Sequence, residues 1–177
     1  MRAFKYIVLL VVVLALAAGA VMLALHVEGQ TPGTPDQTGT VIGGVIISEI
    51  MASNGGWFPD DQGDNSDWIE LYNPGGSDVS LSGMALSDDK TKALWTFPDV
   101  TLKAGGYMVV FASGRDVRDP GRPLHTNFRL SAAEGGVYLM SESGKVLDSV
   151  EYQNQQQNKS LGRAADGSWQ VFDNTTP

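Results

Sequence analysis

The sequence predicts an all-β fold, a sandwich of many short strands preceded by one N-terminal transmembrane helix. Three observations carry this expectation. The 21 glycines among 177 residues favour many turns over long helices. From Val45 onward, short apolar runs alternate with turn residues, and no stretch shows a convincing 3.6-residue apolar stripe. The one long apolar run lies near the N-terminus.

That run, Ile7 to Leu25, holds 19 residues without a charge. At about 1.5 Å per helical residue it nearly matches a hydrocarbon core of about 30 Å. Arg2 and Lys5 precede it, and no Lys or Arg follows before Lys90. The positive-inside bias therefore puts residues 1–6 in the cytoplasm and everything after 7–25 outside. The alternative is a signal peptide, cleaved near Ala20 at the small-x-small site Ala18-Gly19-Ala20, which would leave the domain secreted. Five further apolar residues, Val21 to Leu25, favour the uncleaved anchor. Residues 26–44 mix Pro, Gly, Thr and Gln, the composition of a flexible spacer.

Residues 45–177 then form one domain. Its expected strands are Val45 to Met51, Asp67 to Asn73, Val79 to Leu81, Leu94 to Phe97, Tyr107 to Ala112, Val137 to Met140, Val146 to Tyr152 and Trp169 to Phe172. Turn chemistry separates them, as in Asn73-Pro74-Gly75-Gly76 and Lys103-Ala104-Gly105-Gly106. No fixed-period repeat suggests a solenoid or propeller.

Charge and composition exclude several functions. Every acidic residue lies after His26, giving that part 20 carboxylates against 10 Lys and Arg. Such an acidic surface repels a polyanion, so no nucleic-acid partner is expected. With no cysteine, neither a disulfide nor a thiolate metal site can form.

Several strings point further: ISEIMASN (Ile47 to Asn54), SDWIELYNPG (Ser66 to Gly75), VSLSGMALSDD (Val79 to Asp89), WTFPD (Trp95 to Asp99), LKAGGYMVVFASG (Leu102 to Gly114), LHTNFRLS (Leu124 to Ser131) and LGRAADGSW (Leu161 to Trp169). In this order they resemble the lamin-tail domain of the prokaryotic exported type. The resemblance implies an immunoglobulin-like β-sandwich that attaches or binds, and it brings no catalytic residues. In animals such domains end nuclear intermediate-filament proteins. In bacteria and archaea they stand in exported proteins, often beside nucleases, hydrolases or a spore-coat kinase-like domain. The chain departs from the filament proteins in lacking a coiled-coil rod. Prokaryotic relatives often continue past the equivalent of Pro177, so a further C-terminal domain is left open.

Within the domain, Asp60, Asp61, Asp64, Asn65 and Asp67 crowd the loop FPDDQGDNSD, with Glu49 and Glu70 on neighbouring strands. Calcium takes six to eight hard oxygens, which makes Asp60, Asp61, Asp64 and Asp67 its candidate ligands. The spacing does not match an EF-hand loop, and a plain solvated turn is preferred, so no cofactor is expected. At least one of Asp67 and Glu70 should point inward and accept hydrogen bonds. His125, the domain's one histidine, reads as structural, since no nucleophile motif accompanies the abundant Ser and Asp. Arg115, Arg118 and Arg122 lie in the single basic stretch, interleaved with Asp116 and Asp119, and are candidate contacts for an acidic partner. The loop pair Trp57 and Phe58 is a candidate contact, although packing over the sandwich end is the preferred reading.

The function expected is that of a membrane-anchored, non-catalytic binding or attachment module facing a protein or surface polysaccharide. The alternative is a targeting domain for a larger exported enzyme, and a metal-dependent hydrolase using the acidic loop is disfavoured.

Overall fold

The computed structural model describes residues 44–173. The expected n-region 1–6, anchor 7–25 and nearly all of the spacer 26–44 therefore lie outside the described residues. Those described form twelve strands and no helix: β1 (Ile46–Met51), β2 (Asp67–Tyr72), β3 (Val79–Ser80), β4 (Ala85–Ser87), β5 (Trp95–Thr96), β6 (Thr101–Leu102), β7 (Tyr107–Ala112), β8 (Leu124–His125), β9 (Glu134–Met140), β10 (Val146–Gln153), β11 (Ser160–Arg163) and β12 (Trp169–Phe172). The apolar runs at Tyr107–Ala112 and Trp169–Phe172 coincide with strands. The run expected from Val137 extends back through Gly135 and Gly136 to Glu134. Four strands, β4, β6, β8 and β11, were not expected as separate elements; with two to four residues each they are too short for alternation to show.

One sheet runs β12-β11-β1-β2-β7-β8 and a second runs β10-β9-β4-β5, with β3 and β6 a separate short pair. All pairings are antiparallel except β7 with β8. The two larger sheets share one core: Ile47, Ile50, Ile69, Leu71 and Val110 come from the first, and Leu86, Trp95, Val137, Leu139 and Val150 from the second. This all-β arrangement is consistent with an immunoglobulin-like β-sandwich. A register shift between Ile47 and Glu49 re-phases β1, so that Ile47 and Ile50 both reach the core although they are three positions apart.

β2 is covered on both faces. Ile69 and Leu71 enter the shared core, while Trp68 points the other way and joins Met51 and Phe111 in a second, smaller cluster. Phe58 caps that cluster, its ring stacked on Phe111 at 5.7 Å and edge-on to Trp68 at 6.5 Å. The loop after β1 therefore folds back over the outside of the six-stranded sheet.

At the far end of β2, the fully buried Asn73 ties two turns together. Its amide nitrogen donates to the carbonyls of Ser77 (2.9 Å) and Leu102 (3.1 Å), and its oxygen accepts the N–H of Gly75 (3.0 Å). Its own backbone exchanges hydrogen bonds with Gly105 and Gly106 in the turn ahead of β7. Replacing Asn73 with Asp would set a carboxylate oxygen against two carbonyls. Urea denaturation of Asn73→Asp is expected to show a loss of about 2–4 kcal/mol with an unchanged m-value; a loss below about 0.5 kcal/mol would contradict this role.

Candidate functional site

The loop between β1 and β2 is organised by Asn54. Its amide nitrogen donates to the carbonyls of Phe58 (2.7 Å) and Ser66 (2.9 Å), and its oxygen accepts the N–H groups of Gly56 and Trp57, both at 3.1 Å. Its backbone N–H donates to Asp67 at the start of β2. One side chain thus closes the loop's neck, and the two aromatics emerge in opposite directions. Phe58 is turned onto Trp68 and Phe111, whereas Trp57 is left 52% exposed.

Asp60 forms the loop's polar centre, with its carboxylate fully out of solvent. One oxygen accepts the N–H groups of Gln62 (2.9 Å) and Asp64 (3.1 Å); the other accepts the Ser66 hydroxyl (2.6 Å) and an Arg115 guanidinium nitrogen (2.8 Å). Burial pushes this carboxyl up, but the Ser66 hydroxyl, the two backbone N–H groups and Arg115 outweigh it and hold the carboxyl down at about 2. The other guanidinium terminus of Arg115 pairs with Asp64.

Next along the loop, Asp61 accepts Arg122 with one oxygen and His125 Nε2 with the other, each at 3.0 Å. Arg122 holds its carboxyl below the usual range, with His125 adding to the effect against a smaller upward push from burial. His125 is fully buried beside Phe111, at a ring separation of 5.2 Å, and its Nδ1 meets the Ser113 hydroxyl at 2.9 Å. Ser113 in turn accepts the N–H of Arg115 (3.2 Å). Asp, His and Ser are therefore in line, but the carboxylate holds Nε2 and the serine Nδ1, the reverse of the order in Ser-His-Asp hydrolases. In this setting the imidazole is an internal strut between the two loops.

The acidic loop and the basic stretch, read from sequence as separate candidate sites, meet in the structure as partners. Of the calcium candidates, Asp60, Asp61 and Asp64 face arginine, histidine and backbone N–H groups. Asp67 stands apart, accepting Asn54; burial raises its carboxyl against that hydrogen bond and the charge of Arg129. Among the described residues, no three His, Asp or Glu side chains are grouped to hold a metal. The arginines also divide. Arg115 and Arg122 enter the clasp, while Arg118 pairs with Asp116 and lies over the Trp95 ring at 5.8 Å. A cleft of about 240 Å³ opens beside the clasp, lined by Asp64, Asp67, Ser113, Arg115 and Arg129 among others.

Glu49 and Glu70 are brought together, away from the acidic loop, at facing positions of β1 and β2. Ser48 donates to Glu70 (2.6 Å) and Ser160 to Glu49. Ser48, Ser113 and Ser160 were not foreseen as site residues. Serine is common in the chain, and only strand register reveals which hydroxyl meets which carboxylate.

The family model described as Lamin Tail Domain matches residues 38–154, more than half of the chain, a span that includes β1 through β10 and both halves of the clasp. No curated protein matches the chain.

The clasp carries an acid signature. With its folded value near 2 and an ordinary value of 3.8, the Asp60 carboxyl contributes stability that is present above pH 3.8 and is lost as the pH falls toward 2. Thermal melting between pH 5 and 2 is expected to show this loss in the native chain, about 2 kcal/mol, and a shallower slope in Asp60→Asn. Equal slopes in the two proteins would contradict the assignment.

Proposed function

The chain belongs to the lamin-tail-domain family, and from this premise we propose that it is a non-catalytic attachment module, tethered to a membrane and presenting the Trp57 loop to a protein or surface polysaccharide. The family is one of immunoglobulin-like structural or binding modules. The observation that carries the reading to this chain is the contrast within one loop. Its carboxylates and its Asn54 are engaged internally, and Phe58 is packed down, yet Trp57 is 52% exposed. An aromatic held outward on an ordered loop loses little conformational freedom on contact, and tryptophan is enriched among the residues that dominate interface energy. The tether is the uncharged run 7–25, with Arg2 and Lys5 on its cytoplasmic side and a spacer of Pro, Gly, Thr and Gln between anchor and domain.

Two outcomes test this. The full chain, expressed in cells, is expected to sediment with membranes and to resist extraction by alkaline carbonate; recovery in the soluble fraction would contradict the tether. In pull-downs against envelope proteins and polysaccharides, Trp57→Ala is expected to melt like the native chain while losing at least about tenfold in retention of the partner captured. Equal retention would remove Trp57 from the interface.

A further inference from the structure

Most arginines of the domain are spent on carboxylates. Arg115, Arg118, Arg122 and Arg163 each form an ion pair, and among the described residues Arg129 is the one arginine that does not. Its Nε donates to the Ser113 carbonyl at 2.9 Å, and neither terminal nitrogen has a partner among the described residues. The side chain is nonetheless held. It runs across Gly114, where φ is +76° and an added Cβ would meet Arg129 Nε at 3.3 Å. The cleft of about 240 Å³ beside the clasp is thus lined by an oriented guanidinium with donors to spare. Asp67 lines the same cleft. One of its oxygens accepts the Asn54 N–H at 3.1 Å, and the other has no partner among the described residues. Backbone pairing fixes both charges against consecutive residues at the end of β7: Asp67 is opposite Ala112, and Arg129 bridges Ser113. The charge of Arg129 reaches the Asp67 carboxyl, yet no ion pair joins the two. Asp64 and Arg115, the other charged groups lining the cleft, are already paired with each other.

We propose that this cleft binds a small zwitterion, an α-amino acid whose carboxylate takes the terminal nitrogens of Arg129 and whose ammonium takes the open oxygen of Asp67. The guanidinium fork suits a carboxylate in a two-point contact, and its alignment by Ser113 and Gly114 removes part of the ordering cost of binding. An ammonium donates to a carboxylate in the same charge-assisted way. Size points to a ligand of this class. At about 240 Å³ the cleft falls below the range of about 300–1,000 Å³ that takes drug-sized molecules, so one amino acid fits and a long chain does not. Charge points the same way. The chain after His26 carries 20 carboxylates against 10 Lys and Arg, which disfavours a net anion, whereas a zwitterion adds no net charge. Within the cleft, a simple carboxylate would satisfy Arg129 and meet Asp67 as a like charge, and a simple amine would satisfy Asp67 and meet the guanidinium. Only a ligand with both charges satisfies both residues, which gives the site its selectivity. The inference rests on neither Trp57 nor the membrane tether.

The test is a titration of the full chain at pH 7, followed by the amide NMR shifts of Ala112, Ser113 and Arg129. The probes are glycine and L-alanine, with N-acetylglycine, which lacks the ammonium, and glycinamide, which lacks the carboxylate. Glycine and alanine are expected to give saturable shifts at millimolar concentration, and each single-charge analogue to bind at least about tenfold more weakly. No saturable shift with either amino acid up to about 50 mM, or equal binding of N-acetylglycine or glycinamide, would overturn the proposal. Variants then assign the two ends. Arg129→Gln is expected to weaken glycine at least about tenfold, whereas Lys145→Ala, which removes a positive charge from the exposed β9–β10 turn, is expected to leave it unchanged. Asp67→Asn is expected to narrow the gap between glycine and N-acetylglycine, because it lacks the charge that distinguishes them. Equal losses in Arg129→Gln and Lys145→Ala, or an unchanged gap in Asp67→Asn, would also overturn it. Should a variant fail to fold, the comparison of the four probes on the native chain decides by itself.

Discussion

Much of this structure depends on the burial of β2 from both sides. A strand in the middle of a sandwich normally turns one face to the core and the other to water, but four consecutive residues of β2, Trp68 to Leu71, are all buried. The inner pair, Ile69 and Leu71, is covered by the opposite sheet. The outer pair, Trp68 and Glu70, needs covers of its own, and the molecule supplies a different one for each. Over Trp68 it folds the 53–66 loop, with Phe58 as the plug. Beside Glu70 it places Glu49, Tyr107 and the β11–β12 hairpin.

The two covers use opposite electrostatics. Over Trp68, carboxylates meet cations: Asp60 with Arg115, and Asp61 with Arg122 and with a buried imidazole. A partly buried pair of this kind gains little unless its remaining lone pairs are filled, and the four donors around Asp60 fill them. Around Glu70, the neighbour across the strand pair is a second carboxylate, and burial, opposed by the Ser48 hydroxyl and joined by the charge of Glu49, raises the Glu70 carboxyl to about 7. Acid therefore weakens the cover over Trp68, whereas the contribution of the raised Glu70 carboxyl fades as the pH rises from 4.5 to 7. The loop that presents Trp57 sits on the acid-sensitive side, so its support remains intact near neutral pH.

The sequence made the long elements legible and left their pairing hidden. β1, β2, β7, β9 and β10 have six or more residues bounded by turn signals, enough for alternation to be read. β6 and β8 have two residues each, and their place in the fold is set by neighbours distant in the chain. The site was visible as two polar clusters and an aromatic pair, but not as a clasp. Asp60 and Arg115 are 55 residues apart, and Asp61 and His125 are 64 apart; nothing in composition links positions at such separations. The divergence of Trp57 and Phe58 was equally hidden, because it follows from the hydrogen bonds of Asn54 and not from the character of either ring.

If the clasp is what seals the outer face of β2, its two sides must be energetically coupled. The most direct measurement is a double-mutant cycle of Asp60→Ala and Arg115→Ala, with stability read by chemical denaturation. The account predicts that the double variant loses less than the sum of the two single losses, by about 1–3 kcal/mol. Losses that add within about 0.3 kcal/mol would show that the loops lie side by side without holding each other, and the clasp would fail as an explanation.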